Sequence, residues 1–223
     1  MSNQVVLRPL RFTADVPAMR RFLEMLGLRS RVESERGGWV DMVAGRGMAA
    51  LHDAASSEAG ERPGVTRLSF EADDIGELAQ RLQDAGYHDV TTWDEAYGRV
   101  LSVTAPDATA IWVDERSDDL YGYRQHAARP DERWCVTPDL QVRDRAGWQR
   151  FLATLGGDSA DLAMYRDGSP GAGLVVRLAF RTTESTAEVV QRLTAAGHEP
   201  EETATGLVVA DPDGQLVTVW TES

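Results

Sequence analysis

VTRLSFEADDIGELAQRLQDAG, from Val65 to Gly86, decides the fold because it recurs near the end of the chain as VVRLAFRTTESTAEVVQRLTAAG, from Val175 to Gly197. Each copy has a short alternating apolar run, a polar break, and then a helical pattern that closes on Ala-Gly. Alternation predicts a strand, and a 3.6-residue period predicts a helix. The recurrence therefore predicts a duplicated unit of strand, turn and helix, and a fold built from copies of it.

Spacing reveals two further copies of this unit. A helical pattern closed by Gly27 recurs 59 residues later, closed by Gly86. RFLEMLG, which ends at Gly27, recurs 129 residues later as RFLATLG, which ends at Gly156. Strand patterns follow each helix, so the sequence predicts an α+β fold made of four tandem β-α-β-β-β units with cupped mixed sheets.

The third of these units is predicted to be shortened. The chain needs 40 residues from Gly27 to Arg67 but only 21 from Gly156 to Arg177, so strands are expected to be missing from the third unit. A charged segment without sustained periodicity separates the two halves and is typical of a linker. The predicted organisation is a first domain over 1–115 (units 4–53 and 64–115), a linker over 116–133, and a second, reduced domain over 134–223.

Composition excludes several classes of function. The formal net charge of −13 disfavours nucleic acid as a partner, because that affinity comes mainly from neutralised phosphates. No apolar run approaches the roughly 20 residues of a membrane span, and the start of the chain, MSNQVVLRPLR, does not have the pattern of a secretory signal. Cys135 is the only cysteine, which excludes an intramolecular disulfide. We expect a cytoplasmic protein with no nucleic-acid and no membrane partner.

The order of these motifs resembles the vicinal oxygen chelate superfamily. The resemblance rests on Asp before the helices of the first three units, F-x-x-x-L-G or R-L-x-x-A-G at the end of each helix, and DPDG at Asp211–Gly214, and it covers nearly the whole chain. That superfamily includes glyoxalase I, extradiol dioxygenases, fosfomycin-resistance enzymes and metal-free bleomycin-binding proteins. The resemblance implies two glyoxalase-like domains, each with a cup for a ligand or metal. It also allows the alternative that the halves exchange units across a homodimer.

The resemblance further implies metal ligands in the first and last strands of a unit. The matching positions are Arg8, Arg67, Thr137 and Arg177 in first strands, and Ala50 or His52, Trp112 and Thr218 in last strands. A guanidinium has no lone pair to offer a cation, and a catalytic metal needs about three ligands. The sequence therefore predicts no metal and no other cofactor, and it argues against metal-dependent glyoxalase or dioxygenase chemistry.

Aromatic and cationic side chains remain at the predicted cup. An aromatic-walled cleft with a few fixed polar groups suits a flat or conjugated small molecule. The alternative is that Arg8 and Arg67 pair with Glu71 or Asp41 and close the cup. The predicted ligand-binding residues are Arg8, Phe12, Trp39, His52, Arg67, Glu71, Trp93, Tyr97 and Trp112.

Three functional hypotheses follow from this pattern. The leading one is a metal-independent binding protein of the bleomycin-resistance type, which sequesters an aromatic metabolite or antibiotic. The second is a metal-independent enzyme, of lyase or isomerase type, that uses Arg67, Glu71 or His52 in acid-base chemistry. The third is a non-catalytic scaffold or regulator, for which a cup filled by side chains would be the sign. The sequence favours binding over catalysis and leaves the ligand unidentified.

Overall fold

We describe the chain from a computed structural model that covers residues 3–58, 60–95, 98–117, 120–157, 159–169 and 173–221. The helices are α1 (Val16–Met25), α2 (Ile75–Asp84), α3 (Arg145–Leu155), α4 (Ser159–Leu162) and α5 (Thr186–Ala195). The strands of the first half are β1 (Val5–Leu7), β2 (Leu10–Thr13), β3 (Arg29–Ser34), β4 (Trp39–Val43), β5 (Met48–Asp53), β6 (Thr66–Arg67), β7 (Ser69–Ala72), β8 (Thr91–Glu95), β9 (Gly98–Thr104) and β10 (Ala110–Glu115). The remaining strands are β11 (Tyr123–Gln125), β12 (Trp134–Val136), β13 (Asp139–Val142), β14 (Met164–Asp167), β15 (Val175–Arg177), β16 (Ala179–Thr182), β17 (Glu201–Thr203), β18 (Gly206–Ala210) and β19 (Leu216–Thr221). The predicted α+β class is confirmed.

The helices begin at short polar side chains, as their sequences predict. Asp15 accepts a hydrogen bond from the Ala18 amide at 2.8 Å and so caps α1. Ser185 and Glu188 form a reciprocal capping box at the start of α5. Gly27 follows α1 with φ of 80°, and a Cβ there would lie 2.5 Å from the Trp134 ring. Glycine is needed at this position both for its backbone conformation and for space.

The first-half strands form two sheets that exchange their first strands. Sheet A has the order β1-β7-β10-β9-β8, and sheet B has the order β11-β3-β4-β5-β2-β6. Residues 5–13 form two strands, because β1 joins sheet A and β2 joins sheet B. The break falls at Arg8 and Pro9. Proline has no amide hydrogen to continue a ladder, while the Pro9 carbonyl accepts from the Ala50 amide at 2.9 Å.

The second-half strands form two further sheets. Sheet C has the order β12-β16-β19-β18-β17, and sheet D has the order β14-β13-β15. Three strands lie between α1 and β6, whereas the described residues between α3 and β15 hold the one strand β14. Sheet D, with three strands, is consequently narrower than sheet B, with six.

Two hydrophobic cores lie between the sheets and helices, and each draws on both halves of the chain. In one core, Leu78 of α2 packs with Trp148 and Phe151 of α3. In the other, Phe22 of α1 packs with Phe180 of β16, along with other apolar residues of both halves. Residues from both predicted domains thus share the same cores. The boundaries at 115 and 134 stay a prediction.

The segment predicted as a linker, 116–133, adds a strand to the first half. Its strand β11 pairs antiparallel with β3 at the edge of sheet B. Tyr123, in β11, is half-buried, whereas Tyr121 is 94% exposed. Within the described part of the chain, no helix is long and apolar enough to cross a membrane.

Candidate functional site

Arg8 lies where the first strand passes from sheet A to sheet B. Its amide donates to the Ser69 carbonyl at 2.9 Å, and the Ser69 hydroxyl donates back to the Arg8 carbonyl. The residue is 4% exposed. This backbone anchor directs the guanidinium between the two sheets, because Arg8 belongs to the connection that both sheets share.

The Arg8 guanidinium forms ion pairs with carboxylates from both sheets. Its Nη1 lies 3.2 Å from Asp41 Oδ2, on β4 of sheet B, and 3.7 Å from Glu71 Oε2, on β7 of sheet A. Its Nη2 donates to Asp114 Oδ2, on β10 of sheet A. Asp114 and Glu71 are register partners across β7 and β10, so their side chains lie on the same face. Arg8 therefore joins sheet A to sheet B.

Two more arginines complete this group. Arg31 Nη2 lies 2.9 Å from Asp41 Oδ2, and Arg31 Nη1 donates to Glu71 Oε1 at 3.0 Å. Arg116 Nε donates to the same Glu71 oxygen at 2.9 Å, and its Nη1 reaches Asp73 at 2.7 Å. Three guanidinium groups thus neutralise three carboxylates between the sheets. We call this set the ionic floor: Arg8, Arg31, Arg116, Asp41, Glu71 and Asp114.

Burial and neighbouring charge move the pKa values within the ionic floor in different directions. Burial alone would lower the pKa of Arg8, but the charges of Asp41, Asp114 and Glu71 raise it above the ordinary value. Burial alone would raise the pKa of Glu71, but the hydrogen bond from Arg31 and the charge of Arg8 lower it. Burial raises the pKa of Asp114, since Arg8 is its main counter-charge and the carboxylates of Asp41 and Glu71 repel it. Burial therefore disfavours the charged form of Asp114, whereas the neighbouring guanidinium groups favour the charged form of Glu71.

The ionic floor does not fit a metal ion. Arg8 stands at the position where the resemblance implies a first-strand ligand, and a guanidinium has donors only. The last-strand positions offer Ala50, whose side chain has no donor atom, and His52, whose Nδ1 lies 2.8 Å from the Asp53 carbonyl. In the part of the chain that the structure describes, no group of three or more His, Cys, Asp or Glu side chains is arranged to hold a metal. The residues present do not support metal chemistry at this place.

Predicted aromatic residues form a row across sheet B beside the ionic floor. His52 is the register partner of Trp39 on one side and of Phe12 on the other. The His52 ring centroid lies 5.6 Å from that of Trp39 and 5.7 Å from that of Phe12. Arg8 Cζ lies 5.7 Å from the Trp39 ring, which connects the row to the floor by a cation–π contact. Trp39 and His52 are half-buried, whereas Phe12 is 2% exposed.

Arg67 lies at the end of this row and does not join the ionic floor. Its Cζ is 5.8 Å from the Phe12 ring, and its Nε donates to Glu61 Oε1 at 2.7 Å. The expected alternative, pairing of the arginines with Glu71 or Asp41, is thus found for Arg8 and not for Arg67. The Arg67 side chain is 42% exposed, so it remains accessible beside the aromatic row.

A pair of tryptophans lies on the facing sheet A. The rings of Trp93 and Trp112 meet edge to face with centroids 6.0 Å apart, and Trp93 Nε1 donates to Glu95 at 2.6 Å. Trp112 is 44% exposed. It precedes Asp114 by two residues and so shares its face of β10. Tyr97, also predicted for this site, lies outside the described residues.

Three members of the ionic floor were not predicted as site residues: Arg31, Asp114 and Arg116. The strand pattern contained a signal for Asp114, because it follows Trp112 by two residues on the predicted last strand. Arg116 lies within the predicted linker, and Arg31 lies in β3, whose sequence has no clear alternation of apolar and polar residues. Their convergence depends on pairing between distant strands, which local periodicity does not encode.

Two grooves lie away from the predicted aromatic residues, and Arg116 of the ionic floor lines the second of them. One, of about 450 Å³, runs between α1, β3 and residues 126–129. The other, of about 270 Å³, runs along β1 and the hairpin of β4 and β5. Mixed charged and apolar side chains line the first, and backbone lines much of the second. The chemistry of the predicted residues therefore belongs to the surface between sheets A and B and not to these grooves.

Comparison with solved structures relates this fold to known proteins. No family model and no curated protein matches the sequence. Similar structures include a catechol 2,3-dioxygenase (TM-score 0.62, 11% identity, 98% of this chain and 92% of that one). They also include the 2,2',3-trihydroxybiphenyl 1,2-dioxygenase of Sphingomonas wittichii strain RW1 (TM-score 0.59, 15% identity, 100% and 91%) and the Mn(II)-bound glyoxalase of Novosphingobium aromaticivorans (TM-score 0.58, 14% identity, 99% and 83%). At such low identity the likeness concerns the fold alone. The chain therefore shares its fold with these dioxygenases and this glyoxalase.

Proposed function

We propose that the chain is a metal-independent small-molecule-binding protein whose ligand lies against the aromatic residues above the ionic floor. The observation that carries the proposal is the position of Arg8, which fills the expected metal position with a guanidinium neutralised by Asp41, Glu71 and Asp114. The four helix-containing stretches are interpreted as copies of one β-α-β-β-β unit, the third shortened, that form two glyoxalase-like domains.

The accessible groups favour a flat, conjugated ligand. Trp112 is exposed, Trp93 and His52 are half-buried, and all three present ring surface that can stack on an aromatic body. Arg67 adds an accessible cation for the edge of such a ligand. Structural neighbours named for catechol act, by their names, on an aromatic ring, which agrees with a ligand of this shape. An aromatic metabolite or antibiotic is the class that we propose.

Direct titration tests this function. Tryptophan fluorescence would follow the addition of a panel of aromatic metabolites and antibiotics, with EDTA present throughout. A ligand that binds near Trp112 is expected to quench emission and to stabilise the protein by about 2.7 kcal/mol at 100 times its Kd. Trp112→Ala should abolish binding. Tyr121→Ala, which removes an aromatic ring that is 94% exposed elsewhere, is the matched control and should bind as the unchanged chain does.

A second candidate function, metal-independent catalysis, rests on Asp114. Its pKa is raised by burial, its side chain is 22% exposed, and it shares a strand face with Trp112. A ligand stacked on that tryptophan would lie near this carboxyl group, which could exchange a proton with it. Consumption of a bound ligand in EDTA, lost in Asp114→Asn while binding persists, would favour this candidate. Binding without consumption favours the first.

If no member of the panel binds, the ionic floor is better explained as a purely structural element. The three carboxylates already pair with the three guanidinium groups, and such a filled interior is what a scaffold or regulator would show. In that case Trp112→Ala would change neither stability nor any measured binding. This outcome would refute the proposed function.

A further inference from the structure

The second half of the chain has a polar surface of unusual composition. Arg181, on β16 of sheet C, lies with its Nη2 3.6 Å from Met164 Sδ, on β14 of sheet D, so the two sheets meet along these faces. Alternate residues of a strand share a face. We call the resulting surface the open cationic face: Arg166, Arg177, Arg181, Asp139, Gln141, Met164, Thr218 and Trp220.

This face is accessible. Sheet D consists of three strands, whereas sheet B, its counterpart in the first half, has six. The Arg166 side chain is 59% exposed, and Arg177 is also exposed. At its margin, Leu216 is 65% exposed and Val175 39%. Apolar surface and guanidinium groups are thus presented together to solvent.

Positive charge on this face is neutralised only in part, because Asp139, the register partner of Arg177, is its one carboxylate among the described residues that define the face. Arg166 pairs with Asp139. Arg177 donates to Gln141 Oε1 at 3.4 Å, and Arg181 contacts a sulfur. Within the described ranges, neither Arg177 nor Arg181 has a carboxylate partner. Glu201 is on the same side of sheet C, but it lies on edge strand β17, and β18 and β19 separate it from β16. A local excess of cations is unexpected in a chain with a net charge of −13.

Comparison with the ionic floor shows how the excess arises. The 129-residue offset matches Thr137 to Arg8, and the repeat of the opening stretch matches Arg181 to Glu71. Trp220 is the register partner of Arg181, as Asp114 is of Glu71. Two carboxylates of the first half are therefore replaced by a guanidinium and an indole. The ionic floor has as many carboxylates as guanidinium groups, whereas the open cationic face has three guanidinium groups and one carboxylate.

We propose that the open cationic face binds a small molecule that carries a carboxylate on an apolar or aromatic body. Arginine presents two parallel donors that match a carboxylate. Arg177 and Arg181 supply those donors, and Trp220 and Leu216 supply surface for the body. The class differs from that proposed for the first half, where the charges are already matched. The two sites are on different pairs of sheets and are tested separately.

Isothermal titration with 2-naphthoate and with 2-naphthamide tests this inference, because the two probes differ in charge and not in shape. We expect 2-naphthoate to bind about tenfold more tightly than the amide at low salt, and to weaken as salt rises. Arg181→Gln and Arg177→Gln should each weaken 2-naphthoate about tenfold without changing the affinity for the amide. Arg36→Gln removes an exposed arginine from the turn between β3 and β4 and should have no effect.

Three results would overturn the inference. One is equal binding of both probes. A second is that Arg177→Gln and Arg181→Gln leave the affinity for 2-naphthoate unchanged while Trp112→Ala abolishes its binding. That result would place the probe in the first half, in agreement with the proposed function. The third is that neither probe binds, that sedimentation shows a dimer, and that Arg181→Gln dissociates this dimer. That result would assign the face to contact with a second copy of this acidic chain. Loss of binding in the arginine variants alone would support the inference even if the proposed function fails.

Discussion

Arg8 donates to Asp114 across 106 positions of sequence, from the connection between the first two strands to the last strand of sheet A. The same guanidinium pairs with Asp41 in sheet B. This one side chain therefore joins the two sheets at the place where the resemblance implies a metal ligand. Ion pairs at that place join the two sheets.

Removal of Arg8 should destabilise the protein strongly. Arg8→Met leaves Asp41, Glu71 and Asp114 with less counter-charge in a buried place, and breaking a buried pair in this way costs about 3–5 kcal/mol. Urea denaturation measures the free energy of unfolding. Arg36→Gln, at an exposed turn, is the control and should change it by less than about 0.5 kcal/mol. A loss below about 1 kcal/mol in Arg8→Met would show that the ionic floor is not a structural element.

Ionisation of Glu71 should stabilise the folded protein, whereas ionisation of Asp114 should destabilise it. Arg31 and Arg8 lower the pKa of Glu71 below its ordinary 4.5, despite its burial, so its contribution is present above pH 4.5 and is lost as pH falls through the folded-state pKa. Burial raises the pKa of Asp114 above 3.8. Ionised Asp114 therefore lowers stability as pH rises from 3.8 through its folded-state pKa.

Two neutral variants test these opposite signs. At pH 7, Glu71→Gln should lower the free energy of unfolding by about 3 kcal/mol, whereas Asp114→Asn should leave it within about 1 kcal/mol or raise it. The difference between Asp114→Asn and the unchanged chain should shrink below pH 3.8, where the carboxyl group is protonated in both folded and unfolded chains. Urea denaturation across pH gives both values. A larger loss at pH 7 in Asp114→Asn than in Glu71→Gln would contradict the assignment.

The two halves should unfold together. Arg81 of α2 donates to the Leu155 carbonyl of α3, and the Tyr87 and Phe151 rings lie 5.3 Å apart. Buried Arg11 also pairs with Asp211 in the opposite half. Calorimetry of the whole chain should show one cooperative transition, and residues 1–115 alone should expose the apolar face of α2 and bind a hydrophobic dye. Two separate transitions, or a cooperatively folded 1–115 fragment, would support independent domains.

Much of the fold was predictable because its signals are local. The repeat beginning at Val65, the helix that ends before Gly27 and the hairpin of Trp39–Val43 and Met48–Asp53 all follow from periodicity and turn residues. The split of the first strand at Pro9 was not predicted, because it depends on which sheet each part joins. Sharing of the cores between halves likewise depends on tertiary packing, which no local pattern records.

The candidate site was predictable in its residue types and less so in its partners. Sequence spacing placed Arg8 at the predicted cup. Its pairing with Glu71 or Asp41 was one of the two alternatives that the sequence left open. Arg67 occupies the matching position of the next unit but pairs with Glu61, six residues earlier in the loop before it. That contact depends on the conformation of the loop, which no periodic sequence pattern predicts. Arg31 and Arg116 reach Glu71 only through the folded arrangement of β3 and the chain after β10.

We propose that the first half of the chain binds an aromatic ligand without a metal. The most direct test of this proposal is a fluorescence titration of the panel with EDTA and, separately, with added Mn²⁺, on the unchanged chain and on Trp112→Ala. We expect at least one ligand to bind the unchanged chain with the same Kd in both solutions. Trp112→Ala should abolish the binding of this ligand. Binding that appears only with Mn²⁺, or binding that Trp112→Ala leaves intact, would contradict the proposal.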